Sequence, residues 1–253
     1  MLRLDPGQMK ERSIPAPHLR LAIFALFLAT AVCVAMILGR GMFLHRLEFQ
    51  GFIWNVFLAW IPLVCALRIH ALAGNDKLTR GRLVAWGAVW FFFFPNAPYI
   101  VTDLVHWKNH APVPKWFDLV LIMTFAWTGL LLGYLSLYLI QEQVRSWKGR
   151  NLSWAFVAII LALSSFAIYL GRFERWNSWD VLVHPMGILK DVVHAGSSRH
   201  AADTLPFSIT FFVFSLLSYL TLFTLTHLHG WTERQAPLAP LEPREESSLK
   251  PGL

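Results

Sequence analysis

The chain has 253 residues, of which 56% are hydrophobic and 15% charged, and its formal net charge is +7. Soluble domains average about 25% charged residues and do not repeat apolar runs of about 18 residues, so the composition excludes an ordinary soluble domain. The basic residues lie in short loops between apolar runs, which indicates topology signals and contacts with anionic lipid rather than nucleic-acid binding. We therefore predict an all-α, polytopic membrane protein.

The apolar runs predict six transmembrane helices between two polar tails. Residues 1–20 and 227–253 are expected to be disordered cytoplasmic tails, and residues 21–226 form the transmembrane domain. The six spans are predicted at about residues 21–38, 49–67, 83–103, 117–140, 152–170 and 205–226. Asn55, inside span two, is interpreted as an interhelical contact, and Ser164 and Ser165, inside span five, as helix-packing residues.

The third span is broken. The stretch LVAWGAVWFFFFPNAPYIVTDLVHW contains Pro95 and Pro98, and each proline removes a helical hydrogen bond to an upstream carbonyl, of Phe91 and Phe94 respectively. Inside a bilayer, protein or water must satisfy such carbonyls, so the break should face the protein interior. Asn96 either satisfies the freed carbonyls, the interpretation we prefer, or offers its amide to a ligand.

Polar residues follow the break where the bilayer ends. Asp103, His106 and His110 have the helical spacing i, i+3, i+7, which places them on one face. With Glu174 or Asp180 they could hold a divalent cation, but no established zinc pattern such as HExxH is present. Capping or ion pairing of Asp103 is therefore preferred to a metal site, and no cofactor is predicted.

A second cluster of charges, GRFERWNSWD at residues 171–180, leaves span five at the same level as Asp103. Its charged residues predict an ion-pair network anchored by aromatic side chains; alternatively, Arg172 and Arg175 bind an anion bidentately. Because spans three and five run in the same direction, the two motifs should meet. We predict that Asp103 pairs with Arg172 or Arg175.

The run FFFFPNAPYIVTDLVHW together with GRFERWNSWD resembles a family of bacterial integral membrane proteins described as a domain of unknown function, DUF1361. The resemblance covers roughly residues 21–225. It implies a multi-spanning membrane protein and brings no activity, cofactor or substrate.

Three functional hypotheses follow. The first is binding of a small anion or a lipid headgroup in an extracytoplasmic polar cavity, for transport or sensing. The second is an interfacial enzyme acting on a lipid or envelope precursor, and the third is an accessory membrane subunit without chemistry of its own. The candidate ligand-binding residues are Asn96, Tyr99, Asp103, His106, Arg172, Glu174, Arg175 and Asp180.

The orientation is predicted from the basic residues. Of the 22 lysines and arginines, 14 fall in the tails and in the loops after spans two and four, and 8 fall in the other three loops. Positive charge favours the cytoplasm, which predicts a multi-pass protein of the cytoplasmic membrane with both termini inside. A cysteine placed at His110 in a cysteine-free background should react with an impermeant thiol reagent in intact cells, whereas one at Arg150 should not. The reverse pattern would invert the topology.

Overall fold

The computed structural model describes residues 16–45, 48–106, 113–173, 176, 180–183, 186–187, 190 and 201–227. These residues are 92% helical and contain no strand. Six helical segments, of which the third is the interrupted segment Arg80–Val105, are long and apolar enough to cross a membrane, which confirms the all-α polytopic prediction. The elements are α1 (Ala16–Leu44), α2 (Gln50–Gly74), α3 (Arg80–Phe93), α4 (Asn96–Tyr99), a 3₁₀ helix (Ile100–His106), α5 (Lys115–Lys148), α6 (Arg150–Phe173), α7 (Asp180–Val183) and α8 (Ala201–His227).

Several helices extend beyond the predicted spans. α1 begins at Ala16, so residues 16–20 of the predicted disordered tail are helical, and α8 ends at His227; the rest of both predicted tails lies outside the described residues. α5 has 34 residues and is therefore about 51 Å long, well beyond a hydrocarbon core of about 30 Å. The loop predicted between spans four and five is reduced to Gly149, whose φ of 87° suits glycine. Polar residues with good helix propensity, such as Gln, Glu, Lys and Arg, continue the helix outside the bilayer.

The chain divides into two compact units, Met1–Leu216 and Leu217–Leu253. The described part of the second unit is residues 217–227, the last turns of α8, where the rings of Tyr219 and Phe223 lie 6.3 Å apart. The broken span and the polar residues around it all belong to the first unit.

Within the first unit, α5 is the central helix. It packs against α1, α2, α4, the 3₁₀ helix and α6. Its most apolar window is 61% buried, whereas the corresponding windows of the other five spans are at most 44% buried. The broken span lies between α2 and α5.

Two glycines of α5 allow the broken span to approach closely. A Cβ atom at Gly129 would lie 2.7 Å from the Ala97 carbonyl oxygen and from Cδ1 of Ile100. A Cβ atom at Gly133 would lie 2.9 Å from Cβ of Ala97. Helices in membranes use such small residues at i and i+4 to bring backbones together.

We expect Gly129→Ala to lower the free energy of unfolding by about 1–3 kcal/mol, because the Ala97 backbone would have to shift. The matched control is Gly87→Ala in α3, where an added Cβ meets nothing within 4 Å. Thermal unfolding in detergent measures both variants. Equal stabilities would show that the close approach at Gly129 does not constrain the fold.

Candidate functional site

Two backbone carbonyls at the break have local hydrogen-bond donors. The α3 helix ends at Phe93 and α4 begins at Asn96, with Phe94 and Pro95 between them. The Asn96 side-chain amide donates to the Phe93 carbonyl at 3.0 Å, and the Ala97 N–H donates to the Phe94 carbonyl at 3.1 Å. The prediction that Asn96 satisfies the carbonyls freed by the prolines is corrected in its acceptor: the side-chain amide bonds to Phe93, not to Phe91 or Phe94. The Phe94 carbonyl is not freed, because the chain tightens to an i→i+3 bond there.

The two sequence motifs meet at an ion pair. Asp103 lies in the 3₁₀ helix, and its Oδ1 is 2.5 Å from Nη2 of Arg172 at the end of α6. The Asn55 amide of α2 donates to the other carboxylate oxygen at 2.9 Å. Asp103 is 3% exposed. The predicted pairing of Asp103 with Arg172 is confirmed, and Asn55 makes an interhelical contact as expected.

Further contacts fix the Arg172 guanidinium group. Its Nε donates to Oγ1 of Thr102 at 3.0 Å, and its Cζ lies 4.5 Å from the centre of the Tyr99 ring. Thr102 in turn donates its hydroxyl proton to the Tyr99 carbonyl at 2.7 Å. Cation–π attraction and charge-assisted hydrogen bonds therefore hold this group in one place. The Arg172 charge is already matched by Asp103, so it does not form an open anion site.

A second buried ion-pair cluster was not predicted. Arg40 of α1 contacts Asp118 of α5 at 2.8 Å and Glu48 at 2.6 Å, and its guanidinium group lies over the Phe49 ring. Arg40 and Asp118 are 2% and 1% exposed. The available signal was Asp118 itself, an ionisable residue inside the predicted fourth span. We call the end of the first unit at which Arg40, Asp118, Asp103 and Arg172 lie the charged end.

A cavity of about 300 Å³ lies beside the break, between α2, the broken span and α6. Its size is at the lower end of the range for small-molecule pockets. Apolar and aromatic side chains dominate its wall, and no charged residue is among its described lining residues. The uncharged polar side chains that line it are Asn55, Asn96, Tyr99 and Ser164.

The sequence candidates divide into three groups. Asn96 and Tyr99 line the cavity. Asp103 and Arg172 pair beside it without lining it, while Asp180 begins α7 and His106 ends the 3₁₀ helix. Glu174, Arg175 and His110 lie outside the described residues.

The described residues hold no group of three His, Cys, Asp or Glu side chains that could bind a metal ion. Since His110 is not described, the set Asp103, His106 and His110 stays a sequence hypothesis. Asp103 is occupied by Arg172 and Asn55. The preferred interpretation, ion pairing of Asp103, is the one observed.

Ser164 differs from Ser165, although both were predicted to be helix-packing residues. Ser165 donates its hydroxyl proton to the Leu161 carbonyl at 2.8 Å, the usual arrangement for a serine in a helix. The Ser164 hydroxyl is buried and has no hydrogen-bond partner within the described part of the chain. It lines the cavity, which Ser165 does not.

Six helical spans of sufficient length and apolarity define an integral membrane protein of the all-α class. A family model described as "Protein of unknown function (DUF1361)" matches residues 54–219, about two thirds of the chain. The chain belongs to this family. The matched region contains the whole cavity wall and the Asp103–Arg172 pair, whereas Arg40 and Glu48 precede it. Neither the curated proteins nor the solved structures include a match to the chain.

The ion pair predicts strong coupling between Asp103 and Arg172. Removing one partner leaves a buried charge uncompensated, so Asp103→Asn and Arg172→Gln should each cost about 3–5 kcal/mol of unfolding free energy. The double variant should recover about 1–3 kcal/mol relative to the sum of the single variants. Thermal unfolding in detergent provides the four stabilities of the cycle.

The control cycle uses Glu142 and Arg145, a 3.2 Å pair on one helix whose side chains are 19% and 27% exposed. A pair of this kind should couple by only about 0.3–0.5 kcal/mol. Additive effects of Asp103→Asn and Arg172→Gln would mean that the contact contributes nothing to the assembly of spans two, three and five.

Proposed function

We propose that this protein binds a membrane lipid in the cavity beside the broken span, for transport or sensing of that lipid. The proposal rests mainly on one observation: a cavity of about 300 Å³ within the apolar spans has both polar and apolar walls. The polar part of the lipid would enter the cavity, and its hydrocarbon chains would stay in the bilayer.

The exposure of the cavity wall supports entry from the bilayer. Four large lining residues are exposed to a considerable degree: Trp54 (51%), Phe91 (39%), Phe92 (41%) and Leu163 (47%). All four lie within the apolar spans, where the surrounding medium is hydrocarbon. A ligand that reaches the cavity between them has to be soluble in the bilayer.

The charges favour a lipid over a small soluble anion. Arg172, the best-placed described cation, is paired with Asp103 and is only 13% exposed. The described cavity wall is uncharged, so an anion there would be desolvated without a compensating charge. A lipid can bind without a compensating charge, because its chains contribute apolar contacts with the aromatic side chains of the wall.

The interfacial-enzyme hypothesis gains no support from the described residues. An enzyme at this site would need carboxylates such as Asp103 and Glu174 for acid–base catalysis. The Asp103 carboxylate is paired with Arg172 and accepts a hydrogen bond from Asn55, so its oxygens are already engaged. Glu174 lies outside the described residues. The proposal also includes the orientation predicted from the basic residues, with the charged end outside the cytoplasmic membrane.

Filling the cavity should abolish lipid binding. Ala167 lines the cavity and is half-buried, so Ala167→Phe should displace bound lipid and reduce it at least fivefold, because a benzyl group occupies much of a pocket near the lower size limit. The measurement is mass spectrometry of lipids that are retained by the protein after purification in mild detergent.

The control is Ala162→Phe on the same helix, at an exposed position that does not line the cavity. Both variants should keep the stability of the parent within about 1 kcal/mol, since Ala162 is exposed and the benzyl group at position 167 has an existing cavity to occupy. Equal lipid retention by the parent and Ala167→Phe would refute a binding role for the cavity.

A further inference from the structure

The unpartnered hydroxyl of Ser164 points to the kind of lipid that the cavity takes. Ser164 is 3% exposed, it lines the cavity, and its Oγ has no hydrogen-bond partner among the described residues. A buried hydroxyl without a partner is unfavourable, and a serine in a helix would ordinarily bond to the carbonyl four residues back, as Ser165 does. A ligand group that bonds to Ser164 removes this penalty.

The depth of Ser164 restricts what that ligand group can be. Ser164 precedes Arg172 along α6 by about 12 Å, and Asn96 precedes Asp103 along the broken span by a similar distance. Both residues are therefore well below the charged end, inside the hydrocarbon layer. A phosphate or other charged headgroup at that depth would be strongly disfavoured, since the described wall supplies no opposite charge.

We infer that the ligand is a neutral lipid with an uncharged hydroxyl group, which enters the cavity and bonds to Ser164. This inference rests on the proposed function and specifies its ligand class. A hydroxyl group both donates and accepts, so it can pair with the Ser164 hydroxyl in either direction. Diacylglycerol is a suitable probe, because it carries one free hydroxyl and no charge.

The experiment uses the full-length protein in nanodiscs that contain a small fraction of a photoactivatable lipid. One probe is a diacylglycerol with a diazirine in its acyl chain, and the other is a phosphatidylglycerol with the same chains. Crosslinked peptides are mapped by mass spectrometry. At equal mole fraction, the diacylglycerol should label the cavity wall more strongly than the phosphatidylglycerol.

Ser164→Ala should reduce the diacylglycerol labelling of the cavity by roughly threefold to tenfold, the equivalent of one hydrogen bond. Ser165→Ala is the matched control, because it makes the same chemical change at a buried hydroxyl that does not line the cavity. It should leave the labelling unchanged. Ser164→Ala should also unfold at the same temperature as the parent or a higher one, since it removes an unsatisfied group.

The outcomes separate the inference from the function on which it rests. Labelling of the cavity by phosphatidylglycerol as strong as that by diacylglycerol would overturn the neutral-lipid inference but leave lipid binding intact. Equal labelling of the parent and Ser164→Ala by diacylglycerol would also overturn it. Cavity labelling by neither probe, or labelling that Ala167→Phe does not reduce, would refute the proposed function itself.

Discussion

The structure depends on how an interrupted backbone is accommodated inside an apolar layer. Pro95 and Pro98 prevent a continuous third span, and hydrocarbon offers no hydrogen bonds to the groups that they leave. The chain meets this constraint locally, through the Asn96 amide on the Phe93 carbonyl and an i→i+3 bond from Ala97. The segment that contains this tightened bond packs closely against α5, because Gly129 and Gly133 have no Cβ atom to keep the two backbones apart. The cavity lies beside the same segment, against α2 and α6.

The buried charges of the described residues lie at one end of this arrangement, and each guanidinium group there has a carboxylate partner. Two guanidinium groups, Arg40 and Arg172, each contact a buried carboxylate and lie over an aromatic ring. The first joins α1 to α5, and the second joins the broken span to α6, with α2 attached through an amide. Charges paired in this way specify which helices meet, because exchanging a partner would leave a charge buried alone. The carboxylates in contact with them are Glu48, Asp118 and Asp103, one more than the guanidinium groups, so these contacts leave no unmatched positive charge for an anionic ligand.

The sequence predicted the fold class, the six spans, the position of the break and the meeting of Asp103 with Arg172. Long apolar runs and two prolines act locally, so they can be read from the sequence alone. The cavity and the Arg40–Asp118 pair could not be derived in this way, because they depend on which helix faces lie together. Ser164 shows the same limit: the sequence gives Ser164 and Ser165 the same context. Ser165 bonds to the Leu161 carbonyl of its own helix, whereas the packing of α6 against its neighbours places Ser164 at the cavity.

The cavity and the ion pair share two residues, and this limits how a ligand can bind. Asn55 lines the cavity while its amide nitrogen is bonded to Asp103, and Tyr99 lines the cavity while its ring lies under Arg172. A ligand that drew the Asn55 amide or the Tyr99 ring away would remove a contact that compensates the buried charges of the ion pair. A ligand that leaves both in place must find its polar partner elsewhere on the wall. Ser164 meets that requirement, because its hydroxyl is not committed to another described residue and lies away from the charged end.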